Sequence, residues 1–374
     1  MDGVFFMMKI TNEFRPEADD ILRQMTERIV AWYRECGRRL PWRADREPYR
    51  IWVSEIMLQQ TRIETVLPYY ERFMKRLPDI AALAACDDEE LHKLWEGLGY
   101  YSRVRNLKKA AQKICTEYNG IFPEEYDLIR QLPGVGDYTA GAIASMAFGQ
   151  KRAAVDGNVA RVITRLLACD HDIMDAAFRR ELTKRLDAVY PDGAESELTQ
   201  GLMELGEVLC IPHGVPLCEG CPVRNICLGH ALGVEQELPR KKAKAARRLE
   251  DLTVIRLTCG ERLALVRRPP KGLLAGLWAY PHLPGKLSEE EIIRSLPYGE
   301  YLTGLHRVGE DRHIFTHVEW RLHCYEAELT EEGREQAGAV SDLVWVDPEE
   351  LETGYALPTA FKKLFRSQKR PGEL

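Results

Sequence analysis

No apolar run in the 374-residue chain approaches the roughly 18–20 residues that a helical membrane span requires. The stretch Val4-Phe5-Phe6-Met7-Met8 has no basic flank before it and no small-residue cleavage site after it, which argues against a secretory leader. Met7 and Met8 are themselves candidate starts. Ten cysteines are present, but not in the pattern of a disulfide-stapled chain. Cys210, Cys218, Cys221 and Cys227 crowd into 18 residues, and the other six lie singly. Such crowding reads as a metal site in a reducing compartment, so a cytoplasmic location is expected. Positive charge is not in excess either: the net charge is −6. The sum excludes little, because phosphate binding depends on local patches. What remains is an ordinary globular composition, 45% hydrophobic and 29% charged, with length for roughly two or three domains. Nothing in it suggests an oligomer, and a monomer is expected.

Strand alternation is missing from the first two-thirds. Residues 19–33, 49–60, 64–76, 88–98, 105–118 and 138–148 carry apolar positions at three- and four-residue spacing. Short Pro/Gly punctuation separates them, as at Leu77-Pro78 and Asn119-Gly120. The expectation is an all-α domain of about ten helices over 16–237, after an N-terminal extension of 1–15. A basic linker follows at 238–250, either simply solvated or lying along a phosphate backbone. Beyond it the texture changes. Residues 253–258 and 262–267 read as a hairpin about Cys259-Gly260-Glu261. Residues 317–327 and 343–346 read as strands, and 288–295 and 359–366 as helices. Residues 251–374 are therefore a separate α+β domain.

Between two helical segments lies Leu132-Pro133-Gly134-Val135-Gly136-Asp137-Tyr138. Two glycines around one apolar residue make a turn whose N–H groups can face a phosphate, with the positive end of the next helix behind them. A plain helix–helix connection is the other reading, but in this context the stretch resembles a helix-hairpin-helix DNA-binding motif. About twenty residues on, Asp156-Gly157-Asn158 opens another helix. Asp and Asn are preferred N-caps, yet two of them exceed what one helix start needs. In 51–58, Ile51, Glu55 and Leu58 share a helical face. Glu55 is thus an acid among apolar neighbours, expected to have a raised pKa and to donate a proton near neutrality. The alternative is an ion pair with Arg43 or Arg62. For the cysteines, structural zinc is the common alternative. The spacing Cys210-x7-Cys218-x2-Cys221-x5-Cys227 lacks the second C-x2-C of a zinc ribbon, and a [4Fe-4S] cluster fits it better.

Leu40-Pro41-Trp42-Arg43, the Glu55 segment, Gly97-Leu98-Gly99-Tyr100-Tyr101-Ser102-Arg103, the hairpin, Asp156-Gly157-Asn158 and the cysteines occur in one order across 38–227. That order resembles the adenine DNA glycosylases of the MutY family. The one departure is the first cysteine gap, seven residues here against the family's usual six. The resemblance implies base excision from duplex DNA containing an adenine mispair. Glu55 and Asp156 would be the working acids, with Tyr138 and Asn158 orienting them and the water. It also implies that Arg38, Trp42, Arg43, Leu58 and Gln200 line the adenine pocket. Gln60 and Tyr100 would be wedges in the vacated stack, and Thr61 and Leu98 would lie near the opposing base. Gly134, Val135 and Gly136 would hold the backbone, and the four cysteines would hold a [4Fe-4S] cluster. Relatives of the endonuclease III type share this frame but form a Schiff base through a lysine two residues after the second hairpin glycine. Tyr138 stands there and offers no amine, so the expected enzyme cuts only the glycosidic bond.

Gly272-Leu273-Leu274-Ala275-Gly276-Leu277-Trp278 resembles the opening of a Nudix-type fold, but residues 288–295 lack the R-E-x-x-E-E array that would hold magnesium. Pyrophosphate hydrolysis is therefore not expected. In MutY proteins this domain reads 8-oxoguanine through a loop usually written Phe-Ser-His. Phe315-Thr316-His317 stands in its place, keeping the hydroxyl and adding a methyl group. Two other classes remain open on sequence alone. One is a non-catalytic iron–sulfur DNA-binding protein. The other is an iron–sulfur electron carrier, disfavoured because the cysteines occupy so little of the chain.

Overall fold

The computed structural model describes residues 11, 13–240 and 246–365. Most of the N-terminal extension, the centre of the basic linker and the last position of the helix expected over 359–366 lie outside them. The first part is helical: α1 (Ala18–Cys36), α2 (Pro48–Leu58), α3 (Ile63–Arg76), α4 (Ile80–Ala85), α5 (Asp88–Trp95) and α6 (Ser102–Glu117). Then follow α7 (Tyr126–Arg130), α8 (Asp137–Phe148), α9 (Gly157–Leu166), α10 (Ala176–Val189), α11 (Glu195–Val208) and α12 (Leu228–Ala231). These are more than the ten expected. Three of the twelve, α4, α7 and α12, have six, five and four residues, too short for periodicity to reveal.

The chain divides into two compact units. One takes in the residues up to Ala85 and those from Asn106 to the linker; the other takes in Cys86–Arg105 and everything after the linker. In the first, α1 buries Ile21, Leu22, Met25, Ile29 and Val30 along one stripe. That stripe packs on Val159 and Ile163 of α9, Leu182 and Leu186 of α10, and Leu198, Leu202 and Leu205 of α11. Helix α8 differs from this amphipathic pattern. Every residue from Thr139 to Met146 is buried, as expected of a helix surrounded on all sides.

The second unit is built on β1 (Arg248–Cys259), β2 (Arg262–Arg267), β3 (Trp278–Ala279), β4 (His282–Pro284), β5 (Leu302–Ile314), β6 (Val318–Leu329) and β7 (Leu343–Val346). Its order is β3-β2-β1-β6-β5, with β4 against β1 and β7 against β2. Strands β1 and β6 run parallel, and the other pairs are antiparallel. The expected hairpin forms, with Cys259 opposite Arg262. Alternation splits β6 between two cores: Val318, Trp320, Leu322 and Cys324 on one face, Tyr325, Ala327 and Leu329 on the other. Helices α13 (Glu289–Ser295), α14 (Glu331–Val340), α15 (Pro348–Thr353) and α16 (Thr359–Lys362) complete it.

Polar contacts tie the 86–105 segment to this sheet. Glu89 accepts from Trp278 Nε1 at 2.8 Å and pairs with Arg267 at 2.8 Å. Glu96 accepts from Leu357 N and from Lys362 Nζ. Arg105 donates to the Ala275 carbonyl at 2.9 Å.

Candidate functional site

Glu55 lies in the last turns of α2 and is 4% exposed. Its partner is not an arginine. Tyr138, in the first turn of α8 and 83 positions away, donates its hydroxyl to Glu55 Oε2 at 2.8 Å. Burial pushes the Glu55 carboxyl up to about 7; the Tyr138 hydrogen bond opposes this, and the charge of Asp156 adds to it. Burial, reinforced by the charge of Glu55, also holds the Tyr138 phenol well above its ordinary value. Tyr138 is therefore a donor throughout the working range of pH. Arg43 acts on Glu55 only through space, because its side chain is engaged by Glu204 at 2.8 Å and by the Arg38 carbonyl.

Asp156 is the N-cap of α9: Oδ1 accepts from Asn158 N at 2.8 Å and Val159 N at 2.7 Å. Both bonds end on one oxygen, so capping occupies half of the carboxylate. Burial pushes this acid up as well, against the pull of those two N–H groups. Asn158 turns the other way. Its Oδ1 accepts from Arg161 Nη1 at 3.0 Å, and Arg161 also donates to the carbonyls of Gly206 and Cys210. A single turn of α9 thus runs from the Asp156 cap to the first clustered cysteine.

Of the residues expected around the base, Gln200 accepts from the Tyr33 hydroxyl at 2.7 Å and donates to Ser196. Trp42 is buried edge-on to Tyr70, and Leu58 is half-buried at the end of α2. Arg38 and Arg43 converge on Glu204, a carboxylate only 1% exposed. Burial alone would raise Glu204, but the hydrogen bonds and charges of the two arginines hold it below the ordinary range. Sequence reasoning missed Glu204. The available signal was its place one turn after Gln200 on α11, which sets both side chains on one face.

The hairpin lies between α7 and α8. Gly134 has φ +79°, and a Cβ there would come 2.7 Å from the Asn106 Cβ, so the turn admits glycine alone. Gly136 is the N-cap of α8, and Val135 is buried beneath the turn. Thr61 is half-buried and Leu98 is buried. The two residues expected as wedges share a rarer property. Gln60 has φ +58° and Tyr100 has φ +48°, each in the left-handed region that non-glycine residues enter at a strain of about 1–3 kcal/mol. Tyr100 is 48% exposed. Its loop is held by Arg103, which donates to the Leu98 and Gly99 carbonyls.

In the sheet unit, Phe315-Thr316-His317 is the turn between β5 and β6. Phe315 packs edge-on against Trp320 with ring centres 4.8 Å apart, and its N–H donates to the Val318 carbonyl at 2.8 Å. Thr316 and His317 are exposed. The Thr316 hydroxyl lies 3.3 Å from the Tyr100 hydroxyl. Both line a cavity of about 490 Å³ with Arg105, Leu274, Ala275 and Pro358, a volume within the range of small-ligand sites.

The four clustered cysteines line one apolar recess between α9, α11 and the loop after α11. Burial pushes Cys221 up to about 12 and Cys227 up to about 11, and the charges of the neighbouring thiols push them further. A metal ion among such crowded thiols would favour their ionisation. The surroundings suit one. Arg165 Nη1 lies 3.4 Å from Cys210 Sγ, and backbone N–H groups of Gly229 and His230 point at Cys227. Gly229 is required here too, because a Cβ on it would stand 2.4 Å from the Arg165 carbonyl. The donor set therefore fits a thiolate-held metal group. His230 and Glu235, which sequence reasoning passed over, line the same recess.

Residues 53–188 match the model of the HhH-GPD superfamily of base excision DNA repair proteins, and residues 253–367 match that of the NUDIX domain. The chain is 34% identical over 398 residues to the adenine DNA glycosylase of Rattus norvegicus, spanning 90% of this chain and 76% of that protein. To the adenine DNA glycosylase of Homo sapiens it is 35% identical over 405 residues, spanning 90% and 72%. The solved structure of a thermostable thymine-DNA glycosylase is 28% identical and superposes with a TM-score of 0.53, covering 57% of this chain and 99% of that one. The helical frame, the sheet domain and identity over nine-tenths of the chain agree: it belongs to the adenine DNA glycosylases, enzymes of base excision repair.

Proposed function

We propose that this adenine DNA glycosylase removes adenine paired with 8-oxoguanine or guanine in duplex DNA, by acid-assisted hydrolysis of the N-glycosidic bond and without a lyase step. The observation that carries the reading is Glu55, buried, hydrogen-bonded to Tyr138 and pushed up to about 7. Adenine is a poor leaving group, and protonation at a ring nitrogen lets it depart nearly neutral. An acid with this pKa is protonated in a useful fraction near neutrality, and Glu55 supplies the proton to N7.

Departure leaves an oxocarbenium-like sugar, which Asp156 stabilises through the oxygen not used in capping, either as a charge or as a transient nucleophile. Asn158, anchored by Arg161, keeps that cap in place. Arg38, Trp42, Arg43, Leu58 and Gln200 shape the pocket for the flipped base, with Glu204 holding the two guanidinium groups. Gln60 and Tyr100 enter the vacated stack, consistent with the strain both carry. Thr61 and Leu98 face the opposing base, and Gly134, Val135 and Gly136 hold a phosphate. Phe315, Thr316 and His317 read the lesion, with the Thr316 hydroxyl as the hydrogen-bonding group. Cys210, Cys218, Cys221 and Cys227 would hold a [4Fe-4S] cluster, which when bound crosslinks their loop and offers a one-electron couple.

Single-turnover cleavage of duplexes pairing adenine with 8-oxoguanine, guanine or thymine, read with and without hot alkali, tests this. Breaks that need alkali and follow 8-oxoguanine, then guanine, are expected. Breaks without alkali would instead indicate a lyase. Cleavage blind to the opposite base would remove the role given to Phe315-Thr316-His317.

A further inference from the structure

Cys218 differs from the other three clustered cysteines in what stands beside it. One ligand atom each from Cys218, His230 and Glu235 lie within 4.8 Å of one another, and His230 and Glu235 face the recess that the four cysteines line. Glu235 Oε2 is buried there with no hydrogen-bond partner among the described residues. An orphan acceptor in an apolar recess is destabilising unless an arriving group uses it. Arg224 Nε donates to His230 Nε2 at 3.1 Å. A ring nitrogen that accepts a hydrogen bond presents a lone pair, the electron pair with which an imidazole ligates a metal.

From this juxtaposition we propose that His230 is a reserve ligand of the iron–sulfur centre at the Cys218 corner, with Glu235 accepting the ring's other N–H. A metal-bound imidazole ordinarily hands its second N–H to a carboxylate, and Glu235 is the carboxylate with an oxygen to spare. Were the imidazole to take the place of the Cys218 thiolate, with the freed sulfur taking a proton from solvent, the centre would lose one negative charge. Imidazole in place of thiolate raises the potential of an iron–sulfur centre, so the substituted centre is easier to reduce. The proposal rests on the cluster reading above, which the iron and sulfide content of the unaltered chain tests separately.

The experiment compares Cys210→Ala, Cys218→Ala, Cys221→Ala and Cys227→Ala in the full chain, purified without oxygen. Iron and acid-labile sulfide are measured, and nitrogen hyperfine coupling is sought by pulsed EPR. Cys218→Ala is expected to keep most of its iron and to gain a nitrogen coupling absent from the parent, while the other three lose most of theirs. His230→Phe alone should leave the centre intact, and adding it to Cys218→Ala should empty the site. A Cys218→Ala chain that loses its iron or precipitates as the others do would overturn the proposal. So would one whose iron survives His230→Phe. A parent chain lacking iron and sulfide would remove the cluster reading itself.

Discussion

The neighbourhood of Glu55 and the turn at Phe315-Thr316-His317 use polar groups in opposite ways. Around Glu55 the acids are withdrawn from solvent, Glu55 fully and Asp156 partly, each is held by a specific donor, and desolvation raises both carboxyls. At the turn the ring of Phe315 is packed away, while Thr316 and His317 are left in solvent with a single hydroxyl contact to Tyr100. Breaking a bond calls for groups whose protonation is fixed before the substrate arrives, and burial accomplishes this. Telling one opposing base from another calls for donors and acceptors that stay free until the duplex supplies their partners. The first neighbourhood should therefore respond to substitution in rate and pH dependence, and the second in discrimination.

The largest effect is expected from Glu55→Gln. Cleavage should fall by about 10³-fold or more while duplex binding persists. The same change should stabilise the fold in alkali. The Glu55 carboxyl has a pKa of about 7 in the folded chain against a reference of 4.5, so between those values the folded state holds the extra proton. Its contribution is fully present at low pH and is lost as pH rises through 7. Melting curves at pH 8 should show Glu55→Gln more stable than the parent, by on the order of 2–3 kcal/mol. Equal stability at pH 5 and pH 8 in both proteins would mean that Glu55 is not desolvated.

Next comes Asp156→Asn. Asparagine is as good an N-cap as aspartate, so the melting temperature should hardly move, while the rate falls by about 10²–10³-fold. A loss of stability matched by only a small loss of rate would return Asp156 to a purely structural role. Tyr138→Phe should be milder, at about tenfold. Its sharper signature is in pH. Removing a donor that favours the ionised carboxylate should move the alkaline limb of the rate profile upward. Smallest is Thr316→Val, which keeps the shape and deletes the hydroxyl. It should reduce the preference for 8-oxoguanine over guanine by about five- to tenfold, the worth of one hydrogen bond, and leave the pH profile untouched.

Much of this contrast was legible in the residues themselves. Apolar spacing located α1, α2 and α8, paired glycines located the hairpin, and crowding located the thiols. Tyr138 was singled out for the lysine it replaces, but its contact with Glu55 joins positions 83 residues apart, and no local pattern encodes that. Glu204 was invisible because an acid on an amphipathic helix looks like a solvated one until two arginines are found over it. Strand β5 escaped notice because almost none of it is buried, leaving no alternation to read. The grouping of Cys86–Arg105 with the sheet unit depends on scattered polar contacts through Glu89, Glu96 and Arg105, each unremarkable in sequence.

The single-turnover rate on a duplex pairing adenine with 8-oxoguanine, followed from pH 5 to pH 9, tests the central claim most directly. If Glu55 delivers the proton from a carboxyl titrating at about 7, the rate should be level in acid and fall about tenfold per pH unit above that point. A rate that climbs through pH 7, or holds steady to pH 9, would contradict the account.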